Sequence, residues 1–207
     1  AELHEPKLEV QVAVEAEPPI EIDKPLKHGS DNLDTLFEHR PIGLRNLQEA
    51  AVFKIQSTIT RATRDFFYEN EFTEIHTPKL LAEATEGGAE VFKLDYFGKE
   101  ATLAQSPQFY KQMMVGVFER AFEIAPVYSA EPSSTTRHMT EYTSIDGEMG
   151  FITLDELKTF LSGLLNAMVD SAWENHELEL KRFNQSKPVL PEIIPTISMS
   201  EIHERYS

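Results

Sequence analysis

Apolar residues recur at intervals of three and four positions along two long segments, the spacing that places side chains on one face of an α-helix. The first stripe precedes Asn70, and we expect Asn70 to take the left-handed turn that ends this helix, next to Glu71. The second stripe follows Thr153 and Glu156, which match a capping box at a helix start. We interpret both stripes as core-packing faces. Their members are Val52, Ile55, Ile59, Ala62 and Phe66, and then Leu157, Phe160, Leu161, Leu164, Leu165, Met168, Ala172 and Trp173.

A third pattern, strict alternation of polar and apolar residues, predicts strands around a polar loop. The run Val127–Glu131 leads into a loop, Pro132 to Thr140, that holds Arg137 and His138, and a second run follows from Tyr142. We therefore expect a β-hairpin with one polar and acidic face. In the second run the polar positions are Tyr142, Ser144, Asp146 and Glu148, and they alternate with Thr143, Ile145, Gly147 and Met149.

The predicted hairpin carries candidate chemistry. Its polar face would present Glu131, Asp146 and Glu148, and the loop that carries Arg137 and His138 would lie above this face. Carboxylates bind amines, and a guanidinium with an imidazole binds phosphates. An adenine nucleotide beside an amino acid fits this combination.

Two segments upstream of the hairpin add to the candidate site. Gly87 and Gly88 allow backbone angles closed to other residues, so we expect a mobile loop there. Further on, Ser106 suits an N-cap and Pro107 the first helical position. The helix that begins there would place Gln108 and Lys111 on one face, where an amide and a cation suit a small dicarboxylic acid.

The two ends of the chain give weaker patterns. Leu8, Val10, Val12 and Val14 alternate with polar residues and predict one half-buried strand, which cannot fold alone. Residues 23–46 contain scattered prolines and glycines and predict a hinge and entry loop. At the other end, Ser198 and Glu201 offer a second capping box, for a helix that we expect to continue beyond Ser207.

Composition and charge narrow the function classes. The 207 residues are 41% hydrophobic and 10% aromatic, enough for one sizeable core. The absence of cysteine excludes disulfides, zinc-thiolate sites and thiol catalysis. A net charge of -16 argues against tight binding of a nucleic-acid phosphate backbone by this chain alone. No apolar run approaches a transmembrane length and no signal-peptide core is seen, so we expect a soluble protein, and the absence of cysteine fits a cytoplasmic one.

The hairpin resembles motif 2 of the class II aminoacyl-tRNA synthetases, whose usual form is Phe-Arg-x-Glu, a loop with Arg or His, then an aromatic and an acidic residue. Here Tyr128-Ser-Ala-Glu131 occupies the first part, and Ser129 stands where the family carries arginine. The segment Thr136 to Asp146 is most similar to aspartyl-tRNA synthetases of the archaeal and eukaryotic type. Segments Ala84–Phe92 and Gln105–Gln112 match further motifs of that family, and Phe66–Pro78 resembles its motif 1.

The resemblance implies a role for each matching residue. For aspartate, Glu86 would meet the ammonium, Gln108 the polar groups and Lys111 the side-chain carboxylate. For ATP, Tyr142 would stack on adenine and Glu131 would accept from its amino group. Arg137 and His138 would act catalytically on the outer phosphates, and Pro78 would lie at a dimer interface.

The resemblance also implies an α+β fold, with the antiparallel β-sheet of the class II catalytic core flanked by helices. Residues 1–22 would end an OB-type anticodon-binding domain, 23–46 would form the hinge, and 47–207 the catalytic core. Motif 3 and most of the barrel are not in this sequence, so we expect an incomplete portion of the enzyme. The family's Mg2+ ligands lie near motif 3, and no metal-binding residue is assigned here.

The implied activity is that of an aspartate–tRNA ligase, with ATP, L-aspartate and tRNA(Asp) as substrates, tRNA(Asn) left open, and a homodimer as the assembly. Two alternatives remain. One is a shortened paralogue that binds without ligating, because Ser129 replaces the phosphate-binding arginine and motif 3 is missing. The other is a relative that makes or charges asparagine, against which Lys111 argues.

Overall fold

A computed structural model describes residues 4–24, 33–84, 90–132, 135 and 138–206. The described chain divides into two units, residues Ala1–Thr58 with Ala172–Lys187, and residues Ile59–Ser171 with Pro188–Ser207. The helices are α1 (Leu33–Glu38), α2 (Arg40–Gly43), α3 (Leu47–Glu69), α4 (Gln108–Phe118), α5 (Leu154–Arg182) and α6 (Met199–Tyr206). The strands are β1 (Thr73–Glu74), β2 (Leu80–Leu81), β3 (Lys93–Tyr96), β4 (Lys99–Leu103), β5 (Arg120–Tyr128) and β6 (Glu141–Met149).

The predicted hairpin is confirmed as β5 and β6, which pair antiparallel from Arg120 opposite Met149 to Tyr128 opposite Glu141. β1 joins the other edge of β5 in parallel, and β2, β4 and β3 form a second, antiparallel sheet. One detail of the prediction is wrong. β5 ends at Tyr128, so Glu131 lies beyond the strand and does not share the polar face of β6.

An aromatic cluster covers one face of β5 and β6. The rings of Phe67 and Phe122 stack with centroids 4.4 Å apart, and both residues are almost fully buried. Gly147, opposite Phe122, approaches this cluster so closely that an added Cβ would lie 2.9 Å from the Phe67 ring. Burying each such side chain contributes about 1.5–3 kcal/mol. Because side chains alternate along a strand, Asp146 and Glu148 point away from this core.

The predicted α3 stripe is confirmed in part, since Phe66 packs against the aromatic core and Ile55, Ile59 and Ala62 are half-buried. Val52 is 50% exposed, whereas the buried positions of α3 are Ala51, Thr63 and Phe67. Thr63 is fully buried because its hydroxyl donates to the Ile59 carbonyl within the helix at 2.8 Å. A stripe defined by apolar residues alone cannot include such a threonine.

The end of α3 also departs from the prediction. Glu71, and not Asn70, has the left-handed backbone angle, with φ of 64°. The Asn70 amide donates to the Phe66 carbonyl at 2.8 Å, and the Arg120 guanidinium donates to the Asn70 carbonyl at 2.8 Å. Backbone bonds close the same turn, because the Phe72 N–H donates to the Phe67 carbonyl at 3.0 Å, so α3 ends in a Schellman motif supported by these two side chains.

Both predicted capping boxes are confirmed. Thr153 and Glu156 exchange hydrogen bonds at the start of α5, and Ser198 and Glu201 do the same before α6. The start of α4 differs by one residue, because its N-cap is Pro107 and no side chain caps it. A proline fits this end, where the first backbone N–H groups have no helical acceptor.

The amino-terminal unit departs most from expectation. Residues 4–24 contain no strand, and Leu8 and Val12 are 90% and 85% exposed. A lone strand has no neighbour to complete its hydrogen bonds. The predicted entry loop instead holds α1 and α2. The assignment of these segments to a barrel and a hinge stays a prediction.

Candidate functional site

Lys111 is the centre of the candidate site. Its ammonium lies 3.1 Å from Asp146 Oδ1 and 3.7 Å from Glu148 Oε2. The Lys111 and Asp146 side chains are only 13% and 14% exposed. The Ser144 hydroxyl donates to the second oxygen of Asp146 at 2.6 Å. The polar face predicted for β6 thus holds the lysine predicted on the helix.

The local sequence explains why these groups meet. α4 begins at Gln108 and packs against both β5 and β6. Lys111 is three residues into that helix, so it shares a face with Gln108, which is half-buried. Since Asp146 and Glu148 are two residues apart on β6, both point toward α4. The start of α4 and the two-residue period of β6 together fix the position of the Lys111 ammonium.

A second ion pair lies on the same sheet face and was not found by sequence reasoning. Glu123 is buried at 3% exposure and lies directly opposite Asp146 in the β5–β6 ladder. Its carboxylate accepts from the Thr77 N–H at 2.7 Å, the Thr77 hydroxyl at 2.8 Å and the Lys79 ammonium at 2.7 Å. The sequence did carry a signal. A glutamate inside an apolar strand needs partners, because an unpaired buried charge is strongly unfavourable.

The electrostatics of this face follow from the two ion pairs. Directly opposed carboxylates repel each other, and here each has its own lysine: Glu123 has Lys79, and Asp146 has Lys111. With Glu148 the cluster contains three carboxylates and two ammonium groups. The formal excess of negative charge suits a ligand that brings an ammonium group.

The loop end of the hairpin forms an open cleft of about 570 Å³. His138 lies across it, with Nδ1 2.6 Å from the Thr135 hydroxyl and Nε2 3.9 Å from the Glu131 carboxylate. Imidazole and carboxylate both face solvent, as a site for a large polar ligand requires. The lining residues are Glu131, Pro132, Thr135, His138, Met139, Thr140 and Glu141.

Tyr142 lies on β6 between this cleft and the lysine cluster. Tyr142 is 45% exposed, so part of its surface is accessible to a ligand. It is four residues from Asp146 on the same strand face, a separation of about 13 Å at the usual rise. An amino acid joined to a nucleotide spans a comparable length.

Ser129 follows β5 directly and is half-buried. Its N–H donates to the Thr140 carbonyl at 3.0 Å, and the Ala130 N–H donates to the Glu90 carbonyl at 3.1 Å. The backbone at Ser129 and Ala130 is therefore held by hydrogen bonds to the segment before β6 and to the segment before β3. A hydroxyl here supplies neither the charge nor the reach of an arginine.

Some predicted residues cannot be placed. Glu86, Gly87, Gly88 and Arg137 lie outside the described residues, and their roles stay predictions. Pro78 is exposed. Within the described ranges, no three His, Asp or Glu side chains group as a metal site would need. No helix in the described part of the chain is both long and apolar enough to span a bilayer.

Comparison with known proteins agrees with the resemblance. Residues 32–207 match the model of the family described as tRNA synthetases class II (D, K and N). The aspartate–tRNA(Asp) ligase of Pyrococcus abyssi is 44% identical over 94% of this chain and 45% of its own length. The aspartate–tRNA(Asp/Asn) ligase of Thermus thermophilus is 41% identical over 93% of this chain and 46% of its own.

A solved structure supports the same fold. Asparaginyl-tRNA synthetase from Pyrococcus horikoshii, complexed with asparaginyl-adenylate, matches with a TM-score of 0.75 and 26% identity. The match covers 84% of this chain and 42% of that one. The chain thus spans under half the length of these relatives. The expected α+β class II core is confirmed, and this chain belongs to the class II tRNA synthetase family of the D, K and N type.

Proposed function

We propose that the protein is an aspartate–tRNA ligase, which activates L-aspartate with ATP and transfers it to tRNA(Asp). The observation that carries the proposal is the Lys111 ammonium, fixed by Asp146 and Glu148 on the polar sheet face. Those contacts use at most two of its three donors, which leaves a donor for the side-chain carboxylate of aspartate. Relatives named as aspartate ligases support the same assignment.

The proposed reaction has two steps and needs no protein nucleophile. First, an α-carboxylate oxygen of aspartate attacks the α-phosphorus of ATP, and pyrophosphate leaves with the electrons of the broken P–O bond. Second, a terminal ribose hydroxyl of the tRNA attacks the aspartyl carbonyl, and AMP leaves. The protein contributes positioning and charge neutralisation.

Within this proposal each side chain has one role. Lys111 and Gln108 orient aspartate, and Glu86 meets its ammonium. Tyr142 stacks on adenine, and Glu131 accepts from the adenine amino group. Arg137 and His138 bind the outer phosphates of ATP.

The remaining assignments rest on the family. We propose a homodimer with Pro78 at its interface, and the cytoplasm as the compartment. Mg2+ accompanies ATP in the family. The described residues hold no cluster of side chains suited to it, and none of the proposed roles is that of a metal ligand. Charging of tRNA(Asn) is an alternative that the Thermus thermophilus relative's name raises.

The direct test is amino-acid-dependent exchange of pyrophosphate into ATP by the full-length gene product. We expect exchange with aspartate, and much weaker exchange with asparagine and glutamate. Exchange that prefers asparagine would refute the substrate assignment.

A second function has one specific observation in its favour, namely Ser129 in place of the family's arginine. A protein without that guanidinium could bind aspartate and ATP and yet not join them. Calorimetry with each ligand separates the two functions. Binding of both ligands without any exchange would establish the non-ligating function.

A further inference from the structure

The buried carboxylate of Glu123 has no role in the proposed reaction, yet it lies on the sheet face that holds Lys111. We propose that Lys79 is a positioning residue for the amino acid pocket: by neutralising Glu123, it keeps the Lys111 ammonium on Asp146. This inference rests on the proposed function, because it assumes that Lys111 binds the substrate. Neither Lys79 nor Glu123 needs to touch the substrate.

The Glu123 carboxylate requires a nearby positive charge because it is buried. Its side chain is 3% exposed, and the Lys79 ammonium at 2.7 Å is the positive charge that contacts it. The two donors of Thr77 satisfy oxygen lone pairs but leave the negative charge unbalanced. Removing one partner of a buried ion pair leaves an uncompensated charge, which then attracts any cation within reach.

Lys111 is a second lysine in contact with carboxylates of this sheet face. Glu123 and Asp146 are directly opposed across the ladder, and side chains at such positions start about 4.5–5.5 Å apart. α4, which carries Lys111, packs against the strands of both residues. Without Lys79, Glu123 and Asp146 would therefore compete for one ammonium group.

Lys79 is itself held in place by several contacts. Its carbonyl accepts from the Ala104 N–H at 3.0 Å, and its ammonium also donates to the Thr77 hydroxyl at 3.0 Å. Ala104 lies shortly before α4 in the chain. The segment that supplies the neutralising cation is thus tied to the segment that supplies Lys111.

The test compares Lys79→Met with the double variant Lys79→Met/Glu123→Gln in the full-length protein, by aspartate-dependent exchange. We expect Lys79→Met to raise the KM for aspartate about tenfold, the loss of roughly one charged hydrogen bond, with the KM for ATP unchanged. The double variant removes both charges and should return the aspartate KM to within about threefold of the wild-type value. Lys93→Met is the matched control, because the Lys93–Glu100 pair is exposed and contacts neither Glu123 nor Asp146 in the described structure.

Each possible outcome supports or overturns the proposed role of Lys79. An unchanged aspartate KM in Lys79→Met overturns the inference alone, and equal increases in both KM values would mean a merely structural role. If Lys79→Met does not fold, the double variant and Lys79→Arg decide: an aspartate KM within about threefold of the wild-type value in both supports the inference, and a larger increase in either overturns it. Absence of aspartate-dependent exchange in the wild-type protein would overturn both the inference and the proposed function.

Discussion

Lys111 on α4 and Asp146 on β6 form an ion pair with 3.1 Å between Nζ and Oδ1, and both side chains are largely buried. This pair joins the helix that follows the second sheet to the hairpin of the first sheet. It also fixes the Lys111 ammonium on a sheet face that carries three carboxylates. The selectivity of the proposed pocket depends on this geometry.

Replacing Asp146 with asparagine should weaken aspartate binding. The variant leaves Glu148, at 3.7 Å, as the carboxylate partner of Lys111. A hydrogen bond to a charged group contributes about 1.5–3 kcal/mol, so we expect the aspartate KM to rise about tenfold or more. Steady-state exchange measures this. Asp155→Asn is the control, since its pair with Lys158 is 91% exposed on the Asp155 side, and an equal effect there would contradict the role of Asp146.

Ser129→Arg should raise the rate of adenylate formation. Arginine at this position restores the phosphate donor that the family carries, and one such donor changes the rate by about a hundredfold. Exchange by the full-length protein, with Ser129→Ala as the neutral control, measures the gain. No gain in Ser129→Arg would show that Ser129 does not occupy the motif 2 arginine position.

Glu74 gives a pH-dependent contribution to stability. Burial raises the pKa of Glu74, but hydrogen bonds from Tyr68 at 2.6 Å and Arg64 at 3.0 Å outweigh it and hold the pKa below its ordinary value of 4.5. A lowered folded-state pKa stabilises the protein above the unfolded-state pKa, and this stabilisation disappears as pH falls through the folded-state pKa.

Glu74→Gln should therefore reduce the free energy of unfolding at pH 7 by about 1 kcal/mol, a figure that allows for solvent screening at Arg64. The difference from wild type should shrink as the pH is lowered below 4.5. Urea unfolding at several pH values measures both. Glu177→Gln, in an exposed and therefore screened pair with Lys181, should show a much smaller trend, and a pH-independent deficit for Glu74→Gln would contradict the assignment.

Glu71→Gly should stabilise the protein. Glu71 has φ of 64°, a left-handed angle that costs a residue with a Cβ about 1 kcal/mol and costs glycine little. We expect a gain of about 0.5–1 kcal/mol in the free energy of unfolding. Thermal unfolding measures it. Glu69→Gly, two residues earlier at the end of α3, should destabilise instead, and stabilisation by both changes would refute the explanation.

The elements that were predicted correctly are those whose signal is local. Capping boxes at Thr153 and Ser198 depend on residues three positions apart, and the β5–β6 hairpin depends on a period of two. The buried face of α3 was predicted only in part, because Thr63 is buried through a hydrogen bond that no apolar pattern shows. The left-handed turn was predicted one residue too early, at Asn70 instead of Glu71, because both residues are polar and the pattern does not show which backbone N–H groups close the turn.

The same difference between local and long-range signals applies to the candidate site. Lys111 and Asp146 were identified separately from a helix start and a strand period, but their ion pair joins residues 35 positions apart. The pair of Glu123 and Lys79 was missed because it depends on the packing of the segment after β1 against β5. The roles of Glu86 and Arg137 remain predictions, because both residues lie outside the described part of the chain.

The most direct test of the account is the selectivity that Lys111 confers. Calorimetric titration of the full-length protein and of Lys111→Met with aspartate and asparagine isolates the cation, because methionine nearly matches lysine in volume. We expect tighter binding of aspartate by the wild-type protein, and a loss of about tenfold or more for aspartate in the variant with little change for asparagine. Equal losses for the two ligands would contradict the assignment of Lys111 to the aspartate side chain.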